Sequence, residues 1–222
     1  MNDKKFPTNY KVKAIFFDMD GTIVDSTQAV ERVWRNFAIR HSLNIDKVLK
    51  HIHGRRAADT VAFFTPDHTE EVAKITTEEI VDTRGIVAIP GSAELLNVLP
   101  RHIWAIVTSA DRQLAIRRIT AAKLPLPAVL VSAEDTPLGK PAPDGYLIAA
   151  KLLNVLPKDC LVFEDSPAGL TAAHAAGMSV IAIGNSAPAG YVPRELWIKD
   201  FTCIKFTALE PNIYQVSAGK ST

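Results

Sequence analysis

The chain has 222 residues and a formal net charge of +1, from 25 Lys and Arg residues and 24 Asp and Glu residues. That near-balance excludes a protein that binds polyanions through its overall charge, and we expect no nucleic-acid partner. The hydrophobic fraction of 47% is ordinary for a globular protein with its own apolar core. Cys160 and Cys203 are far apart and form no CxxC pattern, so we expect neither a disulfide framework nor a structural zinc site.

The first thirteen residues are polar and lack the apolar stretch of a signal peptide. No apolar run approaches the ~18 residues needed to cross a bilayer. We therefore expect a cytoplasmic protein with no membrane partner. A monomer is the default expectation, because the chain shows no coiled-coil heptads.

Predicted strands and helices alternate along the chain from about residue 12. Five runs rich in Val, Ile and Phe have strand length and little polar alternation, which is typical of strands buried on both faces: Val12–Phe17, Ile103–Val107, Ala128–Val131, Leu161–Phe163 and Val180–Ile183. Helical spacing occurs at Ala93–Leu99, Gln113–Ala122, Tyr146–Asn154 and Gly169–Ala176. This order predicts an α/β fold with a doubly wound, Rossmann-like and mostly parallel sheet. Phe201–Phe206 predicts an edge strand, and Gly219–Thr222 a disordered tail.

One stretch interrupts the alternation with apolar residues at helical spacing only. Its first helix repeats apolar residues every three or four positions, from Ala29 to Phe37. A charged amphipathic segment follows and ends at Gly85, and Pro90 and Gly91 mark the return to the core. We predict a small α-helical domain over residues 26–90, inserted after the first strand into a core made of residues 1–25 and 91–222.

The first predicted strand ends in two acidic residues, Asp18 and Asp20, followed by Gly21. Side chains two apart at a strand end point the same way, so both carboxylates can face one pocket. Ligands of open α/β sheets bind at this end of the strands. Read alone, the same residues also fit an ordinary turn.

Three later segments place polar residues after other predicted strands. Thr108 and Ser109 end the second core strand, and their hydroxyl and backbone N–H groups can hold a phosphoryl oxygen. Lys140 lies in the stiff loop GKPAPD and can supply positive charge to an anion. Glu164 and Asp165 end another apolar strand, where adjacent acids need a cation or hydrogen bonds.

Together, the four segments indicate a binding site more specifically than any one of them does alone, because the ends of parallel strands converge on one crevice. Asp18, Asp20 and Asp165 supply hard oxygen ligands that suit Mg²⁺. Thr108, Ser109 and Lys140 supply donors for an anion. The sequence therefore predicts one site that can hold Mg²⁺ and an anion.

This motif set resembles the haloacid dehalogenase superfamily of phosphotransferases. The resemblance rests on DMDGT at 18–22, on the Thr108–Ser109 pair, on Lys140 in GKPAPD and on FEDSPAG at 163–169, and it extends from about Lys11 to Phe206. The helical insertion resembles that superfamily's α-helical cap. Asp20 stands where true dehalogenases of the family lack an acid, which favours phosphoryl chemistry.

The resemblance implies a role for each of these residues. Asp18 would attack phosphorus and form an aspartyl-phosphate, and Asp20 would act as general acid and then as general base. Mg²⁺ would be held by Asp18, by the backbone carbonyl of Asp20 and by Asp165, with Glu164 near or in its shell. Thr108 or Ser109, with Lys140, would hold the phosphoryl oxygens.

A narrower resemblance connects two cap segments with bacterial hexitol and sugar phosphatases, with 2-deoxyglucose-6-phosphate and glycerol phosphatases, and with their cousins the β-phosphoglucomutases. These segments are IHGR at 52–55 and GIVAIPG at 85–91. They imply that His53, Gly54 and Arg55 contact the substrate when the cap closes, with Arg56 a weaker candidate. His41, His51 and His68 also lie in the cap. The alternative interpretation of these cap residues is a solvated basic cluster, and it applies to His51.

The expected activity is therefore hydrolysis of a small sugar or polyol phosphate. Two alternatives stay open at this point. A β-phosphoglucomutase-like phosphomutase would use the same Asp18 and Asp20 but protect the aspartyl-phosphate from water. A non-catalytic regulator would bind a sugar phosphate without turnover.

Overall fold

The computed structural model describes residues 9–65, 69–184 and 196–219. His68 and nearly all of the predicted disordered tail lie outside these residues. The strands are β1 Asn9–Val12, β2 Ala14–Phe17, β3 Val24–Asp25, β4 Val87–Ala88, β5 Trp104–Val107, β6 Val129–Val131, β7 Cys160–Glu164, β8 Ser179–Ile183, β9 Leu196–Ile198, β10 Ile204–Glu210 and β11 Ile213–Ala218. The α-helices are α1 Thr27–Arg40, α2 Ile45–His51, α3 Ala57–Phe64, α4 Thr69–Val81, α5 Ser92–Val98, α6 Arg112–Ala121, α7 Asp144–Leu152 and α8 Pro167–Ala175.

A six-stranded sheet forms the centre of the molecule, in the order β6-β5-β2-β7-β8-β9. Every neighbouring pair is parallel, and helices lie between the strands in the chain. The predicted doubly wound α/β fold is therefore confirmed. Phe17 at the end of β2 lies opposite Ile106 of β5 and Phe163 of β7. The loops that follow these three strands consequently meet at one edge of the sheet.

The two faces of the sheet bury different helices because successive strand residues point to opposite sides. Ile15 and Phe17 belong to the apolar cluster that includes α5 and α6. Ala14 and Phe16 belong to the cluster that includes α7 and α8. The rings of Phe17 and Phe163 stack with centroids 5.3 Å apart. These two residues immediately precede Asp18 and Glu164, so the stack packs the strand ends that carry the acidic residues.

Two details of the strand prediction differ from the structure. Val12–Phe17 is not one strand, because Lys13 separates β1 from β2 and only β2 enters the parallel sheet. The predicted edge strand Phe201–Phe206 starts with a short 3-10 helix and becomes a strand at Ile204. That strand, β10, lies at the edge of a second, antiparallel sheet, β1-β11-β10. Its alternating apolar and polar residues suit a sheet that is covered on one face.

Helices α1 to α4, residues 27–81, surround an apolar cluster of their own, as the helical spacing predicts. We call this part of the chain the four-helix segment. Its buried residues include Val33, Trp34, Phe37, Val48, Val61 and Ile75. The chain enters the segment through β3 and returns through β4, which pair antiparallel with Val24 opposite Ala88. Among the described helices, none has both the length and the apolar character that crossing a membrane requires.

Candidate functional site

Three carboxylates from two neighbouring strands meet at the edge of the parallel sheet. Asp18 follows β2, and its backbone N–H donates to the carbonyl of Phe163 in β7 at 3.0 Å. Glu164 ends β7 and Asp165 follows it. Carboxylate oxygens of Asp18, Glu164 and Asp165 all lie within 4.8 Å of one another. The structure therefore brings the first and fourth sequence motifs together.

Lys140 lies between two of these carboxylates. Its Nζ is 2.5 Å from Oδ1 of Asp18 and 2.5 Å from Oε1 of Glu164, and the side chain is buried. Oε2 of Glu164 accepts hydrogen bonds from the backbone N–H and the hydroxyl of Ser166, at 2.8 and 3.1 Å. Glu164 is thus held by protein donors at both oxygens, and it orients the ammonium group of Lys140 towards Asp18.

Burial, reinforced by neighbouring acids, raises the pKa of two of these carboxyl groups. Burial raises the pKa of Asp18 to about 7, an effect opposed by Lys140 and reinforced by the charge of Glu164. Burial, together with the charges of Glu164 and Asp18, raises the pKa of Asp165 well above its ordinary value. Lys140 therefore does not fully compensate the burial of Asp18 and Asp165, and a further cation would stabilise their charged forms.

The donor set fits a hard divalent cation. Asp18, Glu164 and Asp165 offer carboxylate oxygens, the ligand type that Mg²⁺ and Ca²⁺ prefer. Gly21 allows the close approach of Asp165, because a Cβ at this position would lie 2.1 Å from the Asp165 Oδ2 atom. Its φ of +87° is also one that other residues rarely adopt. The acidic group can therefore hold a metal ion.

Asp20 has partners of its own, separate from this acidic group. Its Oδ1 accepts a 2.5 Å hydrogen bond from the hydroxyl of Ser26, and its Oδ2 lies 2.6 Å from Nη1 of Arg118. Its carboxylate is therefore held at both oxygens by side chains. The predicted contribution of the Asp20 backbone carbonyl to a metal site stays a prediction.

The second motif follows β5, next to β2 in the sheet. The N–H of Thr108 donates to the carbonyl of Val131 at 2.9 Å, and its Oγ1 accepts from the N–H of Ala110 at 3.1 Å. The hydroxyl of Ser109 donates to the carbonyl of Gly54 at 3.1 Å. Ser109 thereby connects the strand ends with the four-helix segment.

A cavity of about 390 Å³ lies between the strand ends and the four-helix segment. This volume is in the range of small-ligand pockets. Five of the predicted core residues line it, Asp18, Asp20, Thr108, Ser109 and Asp165. His53, Gly54 and Arg55 line its opposite side. Lys140 lines a smaller pocket that shares Thr108 and Ser109 with this cavity, and it contacts Asp18. Glu164 is fully buried beside Lys140 and lines neither space.

Gly54 brings the backbone of the four-helix segment against the core. It has a φ of +71°, and a Cβ there would lie 2.3 Å from the hydroxyl of Ser166. Ser166 is the residue that caps α8 and binds Glu164. A side chain at position 54 would therefore separate the segment from the loop after β7.

Arg56, a weaker candidate from the sequence, lines the cavity and also contacts the loop that precedes Lys140. Its Nη2 donates to the backbone carbonyl of Thr136 at 2.8 Å and also contacts that residue's hydroxyl. A Cβ on Gly139 would lie 2.8 Å from Nε of Arg56. Arg56 therefore packs against the loop that carries Lys140.

Sequence reasoning missed Arg118, Glu79 and Ser26, which also line the cavity. Arg118 is buried on the face of α6 that contains Leu114 and Ile119. A charge at helical spacing on an apolar face was the available signal, because such a residue needs a buried partner. The same pattern marks Glu79 in α4, four residues after the buried Ile75.

Comparison with known proteins gives concordant results. A family model described as haloacid dehalogenase-like hydrolase matches residues 12–177. The chain is 44% identical over 186 residues to hexitol phosphatase A of Escherichia coli strain K12, covering 81% of this chain and 85% of that protein. It is 34% identical over 194 residues to glycerol-1-phosphate phosphohydrolase 1 of Saccharomyces cerevisiae, covering 81% and 78%. The crystal structure of CbbY from Rhodobacter sphaeroides in complex with phosphate aligns with this chain with a TM-score of 0.72. The alignment covers 86% of this chain and 95% of the CbbY chain, and at 20% sequence identity it shows a shared fold.

Proposed function

The chain belongs to the haloacid dehalogenase-like hydrolases, and from this premise we propose that it is a phosphatase that hydrolyses a small sugar or polyol phosphate. One observation carries the proposal: Asp18, with Lys140 2.5 Å away, lines a cavity whose size suits a small ligand. The 44% identity to a hexitol phosphatase and the 34% identity to a glycerol-1-phosphate phosphohydrolase support the substrate class.

Asp18 is the proposed nucleophile. It lines the cavity, its backbone N–H is hydrogen-bonded to β7, and its Oδ1 contacts Lys140, so its carboxylate is held at the cavity wall. Attack of a carboxylate oxygen on phosphorus forms an aspartyl-phosphate and breaks the bond to the substrate oxygen. Water then hydrolyses this intermediate and releases inorganic phosphate.

The metal ion is proposed to be Mg²⁺, held by Asp18 and Asp165 with Glu164 beside them. When bound, it would offset the repulsion between the Asp18 carboxylate and an approaching phosphate dianion. The raised pKa values of Asp18 and Asp165 support this assignment, because both groups gain from a second positive charge.

Asp20 is the proposed general acid and base. It lines the cavity beside Asp18, and it would protonate the leaving alkoxide and later accept a proton from the attacking water. Thr108, Ser109 and Lys140 would bind the phosphoryl oxygens, where negative charge is spread in the transition state. The hydroxyl of Ser109 and the ammonium of Lys140 are donors of the required type.

Residues 26–90 are the proposed cap of a catalytic core formed by residues 1–25 and 91–222. His53, Gly54 and Arg55 would contact the sugar or polyol part of the substrate from the cap side of the cavity. Their position opposite Asp18 supports this, since a phosphate at Asp18 would direct the rest of the substrate towards them.

A phosphate-release screen with the full-length protein tests the function. Hexitol, glycerol, hexose, 2-deoxyhexose and pentose phosphates are incubated with enzyme and Mg²⁺, and both inorganic phosphate and sugar phosphate isomers are measured. We expect phosphate release without a bisphosphate activator, its loss after chelation, and its return with Mg²⁺. Isomerised sugar phosphate without phosphate release would replace the proposal with a phosphomutase. Saturable binding without turnover of any substrate would replace it with a regulator.

A further inference from the structure

Arg118 makes a buried ionic connection between the candidate acid–base residue and the four-helix segment. Its Nη1 lies 2.6 Å from Oδ2 of Asp20, and its Nη2 lies 3.2 Å from Oε1 of Glu79. The side chain of Arg118 is only 5% exposed. A guanidinium group has a rigid planar fork, so binding both carboxylates fixes their relative positions.

Each carboxylate has a second partner that limits its rotation. Oδ1 of Asp20 accepts from the hydroxyl of Ser26 at 2.5 Å. Oε1 of Glu79 also accepts from the indole N–H of Trp34 at 3.2 Å. Glu79 and Trp34 belong to α4 and α1 of the four-helix segment, whereas Arg118 belongs to α6 of the core. The orientation of Asp20 is therefore connected to the position of the segment.

Burial of this network is costly, and stability alone is a weak reason for it. Buried ion pairs can often be replaced by apolar residues with little or no loss of stability. Here Arg118, Glu79, Asp20 and Ser26 all line the cavity that contains Asp18. The network thus lies where it can direct Asp20 towards a substrate, and a packing role would not require that location.

We propose that Arg118 is a positioning residue, which holds the Asp20 carboxylate in the direction needed for proton transfer. Through its contact with Glu79, Arg118 also makes that transfer depend on the position of the four-helix segment relative to α6. The proposal rests on the proposed phosphatase function. It adds that proton delivery to the leaving group, more than attack by Asp18, depends on contact between α6 and α4.

Leaving groups of different basicity separate this role from a structural one. An alkyl phosphate needs a proton on its leaving oxygen, whereas p-nitrophenolate leaves without one. The value of kcat/KM reports the phosphoryl-transfer step for both substrates. In Arg118→Met we expect kcat/KM for the alkyl phosphate to fall about 100-fold, the scale of a general-acid contribution. For p-nitrophenyl phosphate we expect a fall of less than about fivefold, since that step needs little acid catalysis.

The ratio of the two kcat/KM values is the diagnostic quantity, because one population of folded enzyme turns over both substrates. Partial unfolding of a variant lowers both values equally and leaves the ratio unchanged. Arg117→Met is the matched control, since Arg117 is the exposed neighbour on the same helix. We expect it to keep the wild-type ratio.

Two conservative variants cover the case in which Arg118→Met does not fold. Arg118→Lys keeps the charge without the fork, and Glu79→Gln keeps the shape while weakening the connection to α4. We expect both to lower the alkyl-to-aryl ratio, by about threefold to tenfold for Glu79→Gln. An unchanged ratio in Arg118→Lys and Glu79→Gln, or equal losses on both substrates in Arg118→Met, would overturn the proposal. Wild-type enzyme that cleaves neither substrate would instead refute the phosphatase function itself.

Discussion

The two sides of the cavity differ in how firmly their functional side chains are held. On the strand-end side, Asp18, Lys140 and Glu164 are 6%, 8% and 0% exposed and form one network of ionic contacts. On the segment side, His53 and Arg55 are exposed to solvent. Folding alone therefore fixes the groups proposed for the chemistry. The groups proposed for selectivity need the substrate to complete their environment, so changes on the two sides should have different kinetic signatures.

The largest effect is expected from Asp18→Asn. The amide keeps the size of the side chain but removes the nucleophilic carboxylate, and we expect kcat to fall by about 10⁴-fold or more. Phosphate release measures this loss. Asp59→Asn is the matched control, because Asp59 is exposed on α3 and should keep wild-type kcat. Wild-type turnover by Asp18→Asn would remove the strand-end side from the mechanism.

Lys140→Met should affect both activity and stability. It removes one donor to the phosphoryl group, for which we expect kcat to fall about 10²- to 10³-fold. It also leaves Asp18 and Glu164 without their shared cation, which should lower the free energy of unfolding by roughly 3–5 kcal/mol. Denaturant titration and phosphate release measure the two effects.

Lys151→Met provides the comparison for that variant, because Lys151 is exposed on α7. We expect it to change the free energy of unfolding by less than about 0.5 kcal/mol. A Lys140→Met protein as stable as this control would show that the charge of Lys140 does not stabilise the buried carboxylates of Asp18 and Glu164.

Arg55→Met tests the opposite side of the cavity. Because Arg55 is exposed and would contact the part of the substrate away from phosphorus, we expect KM to rise about tenfold with kcat nearly unchanged. Steady-state kinetics on the best substrate of the screen measure both constants. Arg35→Met, at an exposed position of α1, should alter neither. A fall in kcat comparable to that of Lys140→Met would erase the difference between the two sides.

The smallest expected effect is a pH-dependent thermal shift. In the metal-free protein, burial raises the pKa of Asp18 from its ordinary value of 3.8 to about 7. Its proton therefore stabilises the fold at low pH, and that stability is lost as pH rises towards and through 7. Mg²⁺ competes with this proton, so it should raise Tm by a few degrees more at about pH 8 than at about pH 5.5.

Differential scanning calorimetry with and without Mg²⁺ measures these shifts. In Asp18→Asn the difference between the two pH values should shrink, because the competing proton is gone. A larger Mg²⁺ shift at the lower pH would contradict the assignment of Asp18 to the metal site.

The strand-end side could be predicted from the sequence because its residues follow apolar strands. Parallel strands align their ends, so Asp18, Thr108 and Asp165 had to approach one another once the α/β pattern was recognised. Lys140 also followed a strand, although its contact with Glu164 could not be foreseen. That contact depends on the path of the loop after β6, and local sequence sets such a path only weakly.

The segment side was harder to predict, because helix spacing indicates which face is buried but not which residue of another helix it meets. Arg118 and Glu79 lie far apart in the chain, and their meeting depends on how α4 rests on α6. The second sheet was missed for a related reason. Strand β1 comes from the opposite end of the described chain from β10 and β11, and its pairing with β11 has no local signal.

The antiparallel pairing of β3 with β4 has a consequence for how such a protein can change over evolutionary time. With Val24 opposite Ala88, the points where the chain departs from the sheet and rejoins it are neighbours. An insert with adjacent ends can be lengthened, shortened or exchanged while the strands beneath it keep their register. New substrate preferences could thus arise by replacing one contiguous stretch of gene, provided that the new segment keeps an acidic partner for Arg118.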